Sequence, residues 1–462
     1  MTAAHPGPAE ADPTVACPGQ AAACVPPATA ADPAAAADPA AAAGSAGRGS
    51  RVRARTGYRA VFAVREFRYV FAAHLLSTLG VVLCEIALSV LIYRTTGSPL
   101  LSALTFALGL LPYVVGGTLL SAVADRFPAR RVLVVCDVLC AGCAAGMVVP
   151  GTPVAALLVL RCLTAALAPV FAGTRAATLG DILGEGDLFV TGRSVIRMVS
   201  QSGQLVGFGV GGLLLAAVSP RAVLAVTVAT FLCSALLLRV GTLDRPARRT
   251  GKDGGGTGQG ALFGASLRGA RSLFADRRIR ALLVFAWLPP MFVVVPEALL
   301  TAYADSLGLG PAGLGLLMCS MPVGAVLAES LAGSLLGPRG RARLTFPMAV
   351  FTVLPALGFA ARPSLGWAVV LLVLTGTGIT FNLGLDRWFV AAVPEERRGQ
   401  AMTVMQAGLM TAMGLSMALA GAVAEFVPLH VVMPAGGALG LVCVLLAVLA
   451  VRRTGDGVPP GD

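Results

Sequence analysis

The chain has 462 residues, of which 56% are hydrophobic and only 13% charged, with a formal net charge of +12 at pH 7 and a mean hydropathy of +0.82. That composition excludes a water-soluble globular protein, and unbroken apolar runs of about 20 residues, each enough to cross roughly 30 Å of hydrocarbon, exclude an alternating-strand barrel. The excess of positive charge falls almost wholly in alternate loops, which is a topology bias and not a nucleic-acid-binding face.

Residues 1–57 are rich in Ala, Pro, Gly and Asp with few large apolar side chains, a composition that favours a disordered tail. No apolar core follows a basic start there, so the tail does not read as a secretory signal. Arg48, Arg51, Arg53, Arg55, Arg59, Arg65 and Arg68 precede the first apolar run and place the N-terminus in the cytoplasm. Twelve helices are expected, at 67–93, 99–123, 132–149, 153–173, 195–218, 221–241, 281–304, 311–336, 343–361, 365–390, 400–426 and 428–451. The outer loops then hold only Arg94, Arg221 and Arg362, and Arg161 lies inside the fourth helix; the rest of the 35 basic residues are cytoplasmic. Both termini are therefore expected inside a multi-pass protein of the plasma membrane.

Between the sixth and seventh helices, residues 242–280 form a Gly-rich linker. Its Gly251-Lys252-Asp253-Gly254 run lacks the strand and the Gly-Lys-Ser/Thr of a phosphate-binding loop. Leu267 to Ile279 alternates Leu267, Ala270, Phe274 and Ile279 with Arg268, Arg271, Arg277 and Arg278, a pattern suited to a helix lying on an anionic membrane surface. The fold expected is an all-α membrane protein of two six-helix pseudo-symmetric halves, 65–241 and 281–453, with a short disordered tail at 454–462. Ten cysteines are scattered, mostly within apolar runs, with Cys17 and Cys24 in the tail and no histidine or second Cys pair near them, so no metal is expected.

The loop after the second helix carries Gly117, Asp125, Arg126, Arg130 and Arg131, one acid among three arginines. This stretch resembles the signature loop of the major facilitator superfamily, with Pro128-Ala129 in place of the turn glycine. The resemblance implies that the aspartate caps a neighbouring helix and pairs with arginine, latching the cytoplasmic side in one of two states. Gly333 to Arg343 echoes the loop between the eighth and ninth helices but lacks the aspartate. Phe67-Arg68-Tyr69, Ser77-Thr78-Leu79-Gly80, Ala87-Leu88 and Thr95-Thr96-Gly97-Ser98-Pro99 are similar to the first-helix region of the macrolide efflux and enterobactin exporter branch, although Val81 stands where that branch has an acid. Thr174-Arg175-Ala176 and Pro394 to Gly399 match cytoplasmic loops of the same branch. Gly203, Gly207, Gly211 and Gly212 in the fifth helix allow close helix packing and resemble the antiporter motif, with Phe208 at the expected proline.

A carboxylate inside a membrane helix is costly and normally faces a cavity or a partner. Glu85, one turn beyond Val81 on the same face, is the first candidate for proton coupling or for a cationic substrate group. Glu297, after Pro296 in a helix that Pro289 and Pro290 are expected to break, and Glu329 in the eighth helix are further candidates. Glu425 sits near an outer end. Arg161 needs a carboxylate, a carbonyl or water, and a pairing with Glu85 is either a coupling device or a structural lock. Asp137 reads as support for the Asp125 loop, His74 as a packing residue, and Met402, Met405, Met410, Met413 and Met417 as a core seam or an adaptable drug-binding wall.

The function implied is export of a small amphiphilic organic molecule by proton antiport with alternating access, by a monomer needing no cofactor beyond the proton gradient, with substrate, protons and lipid as its partners. The alternatives are an importer or uniporter of the same fold, and a transport-inactive membrane sensor or scaffold. No nucleophile–base pair points to an enzyme.

Overall fold

The computed structural model describes residues 59–113, 116, 127–184, 187–245 and 273–454. These form α1 (Arg65–Thr96), α2 (Pro99–Leu110), α3 (Ala129–Val148), α4 (Val154–Leu183), α5 (Asp187–Ala217), α6 (Pro220–Gly241), α7 (Arg277–Ser306), α8 (Pro311–Leu335), α9 (Pro338–Phe351, extended by a 3-10 helix Leu354–Ala361), α10 (Leu365–Ala392, with a 3-10 turn at Ile379–Phe381), α11 (Arg398–Ala424) and α12 (Leu429–Thr454). Eleven of them are long and apolar enough to cross a membrane; α2 is apolar over the 12 residues described. No strand occurs among the described residues, as expected where every backbone group must be satisfied within its own segment.

Helix ends follow local chemistry. Ser98 and Ser219 each precede a proline and accept the backbone N–H three residues on, starting α2 and α6. Gly97, at φ 68°, ends α1 in the left-handed region where no Cβ interferes. Asp276 caps α7, accepting from Arg278 and Ile279 N–H at 2.8 and 3.1 Å.

Three expectations change. The seventh helix begins at Arg277, so Arg277 to Ile279 belong to a spanning helix and not to a surface helix; residues 273–275 form a helical turn before it with Leu273 buried, and the segment up to residue 272 lies outside the described residues. It also runs unbroken through Pro289, Pro290 and Pro296, because proline removes only its own N–H and packing on both sides holds the remaining turns. α4 extends to Leu183, which puts Thr174-Arg175-Ala176 inside a helix and not in a loop.

Within the first half, Gly203, Gly207 and Gly211 bring α5 onto α1. A Cβ at these positions would lie 3.0, 2.8 and 2.9 Å from Thr78, Val82 and Ile86, so a glycine stripe of spacing four meets a row of spacing four. Gly212 points elsewhere, to the second half, where its Cβ would lie 2.5 Å from the Cα of Gly315 on α8. Nearby, Cys319 Sγ donates to Leu205 O at 3.4 Å. On the other flank Gly414 of α11 packs on Leu111, just past the end of α2, and Gly421 on Ala103 and Leu100 of α2. Glu425 accepts from Leu100 N at 3.1 Å and from the Ser98 hydroxyl, placing a carboxylate of one half at the N-terminus of a helix of the other. All these contacts between halves lie toward the side away from the chain termini.

Candidate functional site

The two halves bring charge together near mid-helix. Arg161 of α4 pairs with Glu85 of α1, Nη2 to Oε1 at 2.9 Å, with side chains 5% and 15% exposed. The guanidinium also donates from Nε to Thr105 O on α2 at 3.3 Å. One turn along α2, Gly109 makes the room: a Cβ there would fall 2.2 Å from Arg161 Nη2 and 3.3 Å from Glu85 Oε1. From the other half Glu297 of α7, half-buried, lies within electrostatic reach of Glu85. It has no hydrogen-bond or ion-pair partner among the described residues. Four residues further along each helix, Ser89 and Thr301 share a buried hydroxyl bond of 2.9 Å. Both pairs are separated by 212 positions in the chain, so Glu85 and Glu297 occupy matching heights on the first helix of each half. Fully ionised, the site carries two negative charges and one positive, leaving a vacancy for one proton or one cationic group.

Glu329 does not join them. It interacts electrostatically with Arg197 of α5 and shares that arginine with Asp386 of α10, closer to the terminal side of the interface between halves. Of the signature-loop residues, Gly117, Asp125 and Arg126 lie outside the described residues. Arg130, in the first turn of α3, binds Asp244 at 2.8 Å and Thr242 O at 3.4 Å just beyond α6, while Arg131 is exposed. The next residue after Asp244, Arg245, grips Glu66 at the start of α1 through two bonds of 2.6 and 2.8 Å. The ends of α1, α3 and α6 are thus tied together. In the echo loop, Arg341 instead donates to the last carbonyls of α8, Gly333 O at 2.6 Å and Ala332 O at 3.3 Å.

Sequence reasoning misses Gly109, Thr105, Ser89 and Thr301. Asp137 is 1% exposed and bonded to Ser77 and Ser234 of α1 and α6; the Asp125 loop it is expected to support lies outside the described residues. His74 is more than packing, since Arg175 of α4 donates to its Nδ1 and Ser200 of α5 lies 2.9 Å from its Nε2. Met413 and Met417 pack into the apolar core and Met405 into the core of the second half, whereas Met402 is 39% exposed, so the methionines do not form one continuous core seam.

The family model of the Major Facilitator Superfamily matches residues 70–386 and 291–461. The chain is 26% identical over 378 residues to the multidrug efflux pump Tap of Mycolicibacterium fortuitum, covering 78% of this chain and 89% of that one. Among solved structures it superposes on the nucleoside transporter NupG with a TM-score of 0.61 at 16% identity, covering 84% and 98% of the two chains. The POT family transporter PepTSo gives 0.65 at 11%, covering 85% and 98%, and the xylose transporter XylE from E. coli 0.61 at 13%, covering 85% and 96%. The matched residues cover most of the chain: it is a multi-pass membrane transporter, not an enzyme, and belongs to the Major Facilitator Superfamily.

Proposed function

We propose that this transporter exports a small amphiphilic organic molecule in exchange for protons, acting as a monomer in the plasma membrane with both termini in the cytoplasm. The observation that carries the reading is the central site, with two carboxylates from opposite halves and one arginine held by only one of them. Similarity to an efflux pump supports the direction of transport. With the arginine-rich loops inside, the Gly212–Gly315, Ser89–Thr301 and Glu425–Leu100 contacts between halves lie toward the outer side, which supports reading this arrangement as one that faces the cytoplasm. Substrate reaches the site from that side and offers a cationic or polar group to Glu297. Protons reach it from outside after the halves rock, neutralising the acids and displacing the substrate. Coupling requires proton and substrate to prefer different states, since a ligand of equal affinity for both shifts nothing. Glu85 supplies such a difference, because protonating it releases Arg161.

The test uses inside-out vesicles carrying an acid-quenched dye and a panel of hydrophobic antibiotics and siderophores. Substrate-dependent proton release, abolished by Glu85→Gln and by Glu297→Gln, is expected. Equilibration of labelled substrate without proton movement would replace antiport with uniport, a reading that Phe208 and Val81 at expected family positions favour. Accumulation in intact cells would make the protein an importer.

A further inference from the structure

Away from the central site, α1, α3, α4 and α6 line a half-open cavity of about 170 Å³, room for several water molecules. His74, Asp137 and Arg175 line it together with the hydroxyls of Ser77, Thr78 and Thr164. It ends at Val81 and Thr164, within a turn of Glu85 and Arg161 in sequence.

If the Asp137 carboxyl is ionised, two acceptors stand within reach of the one hydrogen of Ser234. Ser234 Oγ lies 2.5 Å from Asp137 Oδ2 and 3.0 Å from Ala73 O. A carboxylate oxygen and a carbonyl oxygen both accept, and a serine hydroxyl has one hydrogen to give. With the proton on Oδ2 the chain is complete: Asp137 donates to Ser234, Ser234 donates to Ala73 O, and Ser77 donates to Oδ1 at 3.3 Å.

Arg175 gives an independent sign. Its Nη1 donates to His74 Nδ1 at 2.5 Å, so Nδ1 is an acceptor and the ring hydrogen is on Nε2, which donates to Ser200 Oγ at 2.9 Å. Ser200 passes its own hydrogen to Ile196 O at 3.1 Å. The imidazole is therefore neutral. Arg175 points one of its five donors at a neutral ring although a carboxyl within its electrostatic reach lines the same cavity, a placement that suits an uncharged carboxyl, since a carboxylate would attract it more strongly.

We propose that Asp137 is a second proton-carrying site, separate from Glu85, Arg161 and Glu297, which holds its proton in this conformation and releases it when Arg175 turns from His74 to the Asp137 carboxylate. In that step the Oδ2–H bond breaks, the proton passes to water in the cavity, and Arg175 stays protonated and neutralises the new carboxylate. His74 Nδ1 is then left to the Thr78 hydroxyl, 3.3 Å away. The groups facing Asp137 are His74 and the uncharged Ser77 from α1, Arg175 from α4, Cys136 and Cys140 on α3 itself, and the uncharged Ser234 and Phe231 from α6. The use of this proton in transport rests on the antiport reading above; its presence on Asp137 does not.

The two are tested separately. Infrared spectra of the full-length protein in lipid, at neutral pH with neither gradient nor substrate, should show a deuterium-sensitive protonated-carboxyl band that Asp137→Asn removes. Ser234→Ala, which deletes the acceptor, should keep the band and shift it. A spectrum in which Asp137→Asn removes only ionised-carboxylate absorption, or a band that Ser234→Ala leaves unmoved, overturns the proposal. In the vesicle assay Asp137→Asn should lower the protons released per substrate without abolishing transport. If no variant releases protons but the infrared result holds, antiport has failed and the protonated Asp137 stands.

Discussion

Gly109→Ala tests the central site with a single methyl group. The added carbon would lie 2.2 Å from Arg161 Nη2, 3.1 Å from Arg161 Cζ and 3.3 Å from Glu85 Oε1, where ordinary contact begins at 3.4 Å. The obstructing atoms are the far end of a flexible side chain, so the guanidinium yields before the helix does. It must retreat by about 1.2 Å, the gap between 2.2 and 3.4 Å, which takes the 2.9 Å pair with Glu85 past hydrogen-bond reach. A hydrogen bond to a charged group contributes about 1.5–3 kcal/mol, and about 1.4 kcal/mol is a factor of ten. Proton-coupled transport should therefore fall roughly ten- to a hundredfold. Thermal stability should change little, because alanine in a helix recovers up to about 1 kcal/mol relative to glycine. Proton release and labelled-substrate flux in vesicles, beside a melting curve of the purified protein, measure both. Gly142→Ala is the control, since its Cβ would meet open space. Normal coupled transport in a well-folded Gly109→Ala protein would refute the idea that the Glu85–Arg161 contact matters to coupling.

Three further outcomes follow from the packing between and within the halves. Thr301→Val removes the buried bond to Ser89 and leaves that hydroxyl unpartnered, so the outward-open population should rise by about two- to tenfold for a loss of about 0.5–1.5 kcal/mol; spin-label distances across the outer side would report it. Glu425→Gln weakens the cap on α2 and should move the same distances the same way by a smaller factor, screened by salt because the site is exposed; a salt-independent effect would contradict the electrostatic account. Gly207→Val forces a branched side chain against Val82, where a Cβ alone would already sit at 2.8 Å, and should destabilise the first half by about 1–3 kcal/mol, seen as a lower melting temperature with loss of expression.

The sequence carried the helices because hydrocarbon leaves the backbone no other choice, and it carried Glu85 and Arg161 because a charge at mid-helix requires a partner. It placed the four glycines of α5 on a close interface but not on two different ones, since a stripe says how near a neighbour comes and not which neighbour it is. The partners of Asp137 were hidden for a related reason: Ser77 and Ser234 stand 60 and 97 positions away. Gly109 left no trace because its contribution is the absence of a side chain. Arg175 was hidden by a loop expectation, and became visible only once α4 was seen to continue through it. Glu329, like Glu85 a carboxylate inside an apolar helix, differs in the helices that surround it.

The contact of Gly212 with Gly315 has a mechanical meaning. Where side chains interlock, two helices can only move by disengaging a set of knobs and re-engaging another, which imposes a barrier. Here backbone rests on backbone, and nothing projects to be disengaged. α5 and α8 can roll on each other at this point as on a bearing, so the halves change their tilt about it while their separation stays fixed.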